Sequence, residues 1–329
     1  MLYAACGKKP QEETMLEPKI DTKDLETWAS FLIDHSLAGV DSSDRVMIKG
    51  ERICWPLMAV LEQRIIEAGG IPDVYVVPPN NDRGRVWSAA MGRHGTPEQL
   101  GRVPEWHKAR FESMTKYIEV LGAEDPSQYM GLEPAQSQAL AAADRPFADI
   151  RLSKPWVITL YPTSAFAELE EMSMEDFETF IVGASTVDPT PLREAEERIA
   201  PLIHDGSEVR IVTRCPNEER DLTLTMNISQ GHAALSYGLR NFPDGEIFTS
   251  PDASSVEGEI FVDLPITNGG HDIKGIYLNF EGGRIVRYRA EKGQDQLATI
   301  IETDDGSHRL GEVALGMNPG LDRVLKHPL

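Results

Sequence analysis

From Asp21 onward the apolar residues Leu25, Trp28, Ala29 and Leu32 recur on one side of a helix, with Asp21 as its cap and Gly39 just past its end. Arg45 to Lys49 then alternates as a strand. Pro56 opens a second helix carrying Leu57, Val60 and Leu61, which Gly69-Gly70 closes before a strand at Val74 to Val77. Two strands joined by a helix of that length imply parallel pairing, so residues 21–188 are expected to form an α/β N-terminal domain with a largely parallel sheet. Residues 1–20 are polar, lack an apolar period and read as a flexible tail.

Asn80 to Arg102 is polar and glycine-bearing and reads as a long connection. Pro104 restarts helix, with Trp106, Ala109, Met114, Ile118 and Leu121 following the helical repeat until Asp125-Pro126 breaks it. A short alanine-rich helix is expected from Pro134, then a buried strand at Trp156 to Leu160. Ser173-Met174-Glu175-Asp176 resembles a capping box with aspartate at its end.

Asp188-Pro189-Thr190-Pro191 interrupts the pattern and marks a domain boundary, followed by a helix over Leu192 to Ile203. Short strands come next, at Val209 to Thr213, Leu222 to Met226 and Ile260 to Asp263. A hairpin is expected over Gly275 to Arg289, turning at Glu281-Gly282-Gly283. Residues 189–329 therefore read as a strand-rich α+β domain.

Composition narrows the function. Fifty-three acids against 32 bases give a formal charge of −21, which repels a phosphate backbone or an anionic membrane surface. Neither nucleic acid nor membrane is an expected partner. No apolar run approaches bilayer length and no signal-peptide pattern opens the chain, so a cytoplasmic protein is expected. Cys6, Cys54 and Cys215 form neither an even framework nor a metal spacing. Gly50-Glu51-Arg52-Ile53 lacks the glycines of a phosphate-binding turn.

The densest chemistry lies in Asn241-Phe242-Pro243-Asp244-Gly245-Glu246-Ile247-Phe248-Thr249-Ser250-Pro251, which reads as a stiffened loop turning the Glu246 carboxylate toward a fixed point. A second acid in apolar company, Glu312, lies in Arg309-Leu310-Gly311-Glu312-Val313-Ala314-Leu315-Gly316. Two carboxylates brought together repel unless one keeps a proton or a divalent metal removes the conflict. The plainer alternative is that Glu246 forms a turn and Glu312 caps or pairs on a helix.

These segments, together with Arg45 to Gly50, Trp55-Pro56-Leu57, Trp156, Tyr161-Pro162-Thr163 and Ser255-Val256-Glu257-Gly258, resemble the metal-dependent aminopeptidases of the thermophilic aminopeptidase T and S type, peptidase family M29. By that resemblance Glu246 and Glu312 are metal ligands. The resemblance implies a cytoplasmic homodimer that removes N-terminal amino acids from peptides, with two divalent ions (zinc, cobalt or manganese) activating water. Further ligands of the family lie in a Gly-Thr-x-His-like segment and a His-x-Asp segment. Neither precedes His327-Pro328-Leu329, so the resemblance implies a catalytic domain incomplete at its C-terminus, weak metal binding and slow hydrolysis. A ring-cleaving dihydroxypyridine dioxygenase with a single iron resembles the same family and is the alternative reading; a non-catalytic chain is a third.

The histidines carry less. His94 and His107 have no second ligand type nearby and read as surface residues. His308, four residues before Glu312, would share its face if helical, but a small residue is usual there in the family, so it reads as a local variation. His232 and His271 flank glycines and remain open as contributors to the site.

Overall fold

The computed structural model describes residues 18–77, 87–124, 134–216, 218–268, 271–321, 323 and 325. The first helix, α1 (Thr22–Ser30), is capped by the Asp21 carboxylate accepting from the Lys23 amide; it runs on into a π-helical turn, Phe31–Ser36. It buries Leu25, Trp28 and Ala29, and the Trp28 indole donates to Thr159 Oγ1 at 3.0 Å. Gly39 ends the segment at φ +84°, a conformation that costs glycine little.

Strand β1 (Arg45–Glu51), helix α2 (Trp55–Glu67) and strand β2 (Ile71–Val77) form the expected unit, with β1 and β2 parallel. Three helices follow, α3 (Ala89–His94), α4 (Pro97–Leu100) and α5 (Glu105–Ser113), then strand β3 (Lys116–Leu121), helix α6 (Pro134–Leu152) and strand β4 (Trp156–Leu160). Strands β1, β3 and β4 are parallel neighbours.

Three expectations need correction here. Ile118 and Leu121 lie on a strand: α5 stops at Ser113, Met114 is extended, and Lys-Tyr-Ile-Glu-Val-Leu enters the sheet centre, buried on both faces as internal parallel strands are. The polar stretch from Asn80 is not one connection, because Ser88 caps α3 and a Thr96–Gln99 capping box starts α4; residues 78–86 lie outside the described ones. His107 is not at the surface. It is buried among the rings of Tyr75, Trp106, Phe111 and Phe147, with centroids 5.1–5.9 Å away. His94 is exposed. The alanine-rich helix is also longer than expected, spanning 19 residues.

Helices α7 (Ser164–Leu169), α8 (Met174–Ser185) and α9 (Thr190–His204) lead into the second half. At the start of α8 the Ser173 hydroxyl caps the helix by accepting from the Asp176 amide at 3.1 Å, while the shorter Asp176 carboxylate accepts from that hydroxyl at 2.7 Å. Then come β5 (Glu208–Cys215), β6 (Arg220–Asn227), β7 (Ala234–Ser236), β8 (Asn241–Phe242), β9 (Glu246–Thr249), β10 (Glu257–Val262), β11 (Ile266–Asn268), β12 (His271–Glu281), β13 (Arg284–Lys292), helix α10 (Gln294–Ile301) and β14 (Val313–Gly316).

These strands form three sheets. The parallel sheet has the order β2-β1-β3-β4-β8. An antiparallel sheet runs β11-β12-β10-β6-β5, with β13 paired to β12 through the Gly282-Gly283 turn, both glycines at positive φ. A three-stranded sheet, β14-β9-β7, joins the last strand of the chain to two strands that flank β8 in sequence. Because β8 returns to the parallel sheet beside β4, residues after 189 contribute to the first layer, and the loop to β9 starts from its edge. Cys54 and Cys215 are buried free thiols, and Cys6 lies outside the described residues. Among the described residues no helix is long and apolar enough to cross a membrane.

Candidate metal centre

The chain enters this region through Phe242, which packs in the main core, and a cis Phe242–Pro243 bond. Gly245 follows at φ +146°, where an added Cβ would lie 2.4 Å from the Asn318 side chain and 3.0 Å from its backbone nitrogen. Only glycine fits there without displacing the backbone after β14. The expected stiff loop is thus two short strands, β8 and β9, joined by a turn that Asn318 and Met317 hold from the far side: the Met317 amide donates to the Gly245 carbonyl at 2.8 Å.

Glu246 opens β9 in the middle of its sheet, paired with Ser236 on one side and Gly316 on the other. Along β9 the alternation buries Ile247 and Thr249 and turns Glu246 and Phe248 to the opposite face. Ala314 pairs with Phe248, and Glu312 is exposed in the segment just before β14. A Cβ on Gly316 would meet nothing within 4 Å, which leaves the face open beside Glu246.

The electrostatics agree with this placement. Burial raises the Glu246 pKa, and the Glu312 charge raises it further. Among the described residues neither carboxylate has a hydrogen-bond or ion-pair partner from its side chain. Two further acids lie behind them. Burial pushes Asp244 up to about 7, with the Glu246 charge adding to the shift and the Gly245 and Gly238 amides opposing it. Burial also pushes Glu196, on α9, up to about 7, and the charges of Asp244 and Glu246 add to the effect. Glu196 is wholly inaccessible to solvent, and neither of its oxygens completes a hydrogen bond, although the Ser236 amide lies near enough to oppose the shift.

A divalent cation suits the Glu246–Glu312 pair, because it would relieve the repulsion that raises the Glu246 pKa and use oxygen donors that nothing else engages. The pair is only part of a donor set: among the described residues no three histidine, cysteine or acidic side chains are grouped to hold an ion. His308 faces elsewhere, its Nδ1 3.3 Å from the Ile285 carbonyl and its Nε2 3.9 Å from Glu302. It belongs to a short 3-10 turn, so no helix aligns it with Glu312. The His232 ring lies 6.3 Å from that of His204, and His271 opens β12 opposite Asn268.

A crevice of about 80 Å³ runs beside Asp244 between the walls of Val187, Leu192, Tyr237, Phe242 and Pro319. Sequence reading missed Glu196. Its one signal was position: Leu192, Glu196 and Ala200 recur every fourth residue along the inner face of α9, where a glutamate is out of place.

The model of the thermophilic metalloprotease family, M29, matches residues 21–325. The chain belongs to this family. This M29 chain is 48% identical over 77 residues to aminopeptidase AmpS of Bacillus subtilis (strain 168), covering 23% of the chain and 19% of that protein. It is 29% identical over 257 residues to aminopeptidase T of Thermus aquaticus, covering 66% and 62%. The match thus spans less than two thirds of either relative. Among solved structures it resembles wild-type AmpT from Thermus thermophilus, with a TM-score of 0.70 and 23% identity over 89% of this chain and 78% of that one. It also resembles 2,5-dihydroxypyridine dioxygenase from Pseudomonas putida KT2440, with a TM-score of 0.53 and 14% identity over 92% and 78%. At these identities both likenesses are of fold.

Proposed function

We propose that this M29 protein is a metal-dependent aminopeptidase whose centre is built on Glu246 and Glu312. The observation that carries the reading is that these two otherwise unpartnered carboxylates lie near enough for the charge of Glu312 to act on Glu246, in a chain of a metalloprotease family. Relatives named as aminopeptidases support it.

Divalent ions held there, two in a complete centre and drawn from zinc, cobalt or manganese, would supply an acidified water and polarise a peptide carbonyl. The protein's own residues do the rest. Gly245, held against Asn318, sets the direction in which Glu246 leaves the turn, and the β9–β14 ladder holds the strand that Glu312 leads into. The largely apolar crevice beside Asp244 suits the side chain of an N-terminal residue, with two acids, Asp188 and Asp244, at its wall for the free ammonium. We read the protein as a cytoplasmic homodimer acting on peptides.

The test is release of the free N-terminal amino acid from a leucyl peptide in the presence of Mn²⁺, Co²⁺ or Zn²⁺, beside the same peptide N-acetylated. Cleavage of the free peptide alone supports the reading. Oxygen uptake with an aromatic diol and no cleavage would replace it with the ring-cleaving alternative.

A further inference from the structure

Glu196 presents a problem that neither the fold nor the proposed centre solves. Its carboxyl group is 0% exposed, and both oxygens lack a hydrogen-bond partner among the described residues. Leaving a buried polar group unsatisfied costs roughly 1–3 kcal/mol, and more when it is charged. The Ser236 amide offsets this only in part, and the charges that reach the group are those of Asp244 and Glu246, both negative. An apolar residue would fit better here: the same helix face carries Leu192 and Ala200, and α9 lies against β7 and β9, the strand that holds Glu246.

Resting on the metal reading above, we infer that Glu196 is a positioning residue for the cation, an outer carboxylate behind Glu246 that strengthens cation binding without touching the ion. A buried acid in a low-dielectric setting projects its charge with little screening. On a helix packed against the strand of a carboxylate ligand, that charge raises the affinity of the ligand pair for a dication. Removing such an outer partner typically weakens metal binding by about 10–100-fold. A misfit in the metal-free protein then becomes an asset in the loaded one.

The inference predicts opposite signs for two measurements, which a merely structural residue would not give. Glu196→Gln and Glu196→Leu should leave the melting temperature of the metal-free protein unchanged or raise it. Both should weaken binding of Mn²⁺, followed through the electron paramagnetic resonance signal of the free ion, by about tenfold or more. Glu246→Gln serves as the reference. If Glu246→Gln weakens Mn²⁺ binding and Glu196→Gln leaves it within twofold of wild type, the role of Glu196 falls and the metal centre stands. If neither substitution changes Mn²⁺ binding, both readings fall. A fall in metal-free melting temperature together with affinity in the Gln variant would make Glu196 a structural residue and also overturn the inference; should the Leu variant fail to fold, the near-isosteric Gln variant decides alone.

Discussion

Asn318 donates its side-chain amide to the Asp244 carbonyl at 2.5 Å, and its backbone nitrogen lies 3.0 Å from the place a Cβ on Gly245 would occupy. The residue after β14 thus clamps the turn that delivers Glu246. Gly245→Ala forces a side chain into a positive-φ position against that backbone, and should destabilise the protein by about 2–3 kcal/mol. Asn318→Ala, which removes only the hydrogen bond, should cost about 1 kcal/mol. Denaturant unfolding monitored by tryptophan fluorescence checks both values.

In the parallel sheet Lys49 and Glu119 form an ion pair at 3.1 Å with side chains 1% and 5% exposed, and Tyr117 donates to the second Glu119 oxygen at 2.8 Å. Removing one partner leaves the other charge buried alone. Lys49→Met should therefore cost about 3–5 kcal/mol, and adding Glu119→Leu should restore much of it. The double-mutant cycle is read from urea midpoints.

In the antiparallel sheet the Arg220 guanidinium grips Glu259 with two hydrogen bonds of 2.6 and 3.1 Å, Tyr277 donates to the same carboxylate, and the pKa is held down to about 2. A carboxyl group depressed from 4.5 contributes stability that is complete above about pH 4.5 and is lost as the pH falls toward 2. Glu259→Gln should be less stable than wild type by about 1–2 kcal/mol at neutral pH, allowing for solvent screening, and the gap should close between pH 4.5 and 2. Thermal melts across that range measure it.

Much of the fold was readable because local chemistry and tertiary context agree. Asp21 caps the helix it announces, Gly282-Gly283 turns the hairpin it bounds, and β1-α2-β2 follows its apolar period. Reading failed where residues met two periods at once. Met114, Ile118 and Leu121 fit a helical stripe by coincidence, and only the neighbours β1 and β4 decide that Lys116–Leu121 is a strand. His107 looked solvent-facing because two of the rings that enclose it, Tyr75 and Phe147, come from distant segments. Glu246 and Glu312 stood out through the motifs around them. The pairing of β9 with β14 did not, since its register is a long-range fact, and Glu196 was hidden for the same reason.

The central claim is that Glu246 and Glu312 serve one metal centre. Equilibrium dialysis against Mn²⁺ of the wild-type protein, Glu246→Gln, Glu312→Gln and the double variant tests it most directly, with circular dichroism confirming that all four are folded. Each single variant should lose most of the Mn²⁺ that the wild-type protein binds, and the double variant little more, because residues acting on one ion are not additive. Metal content unchanged from wild type in both single variants would contradict it.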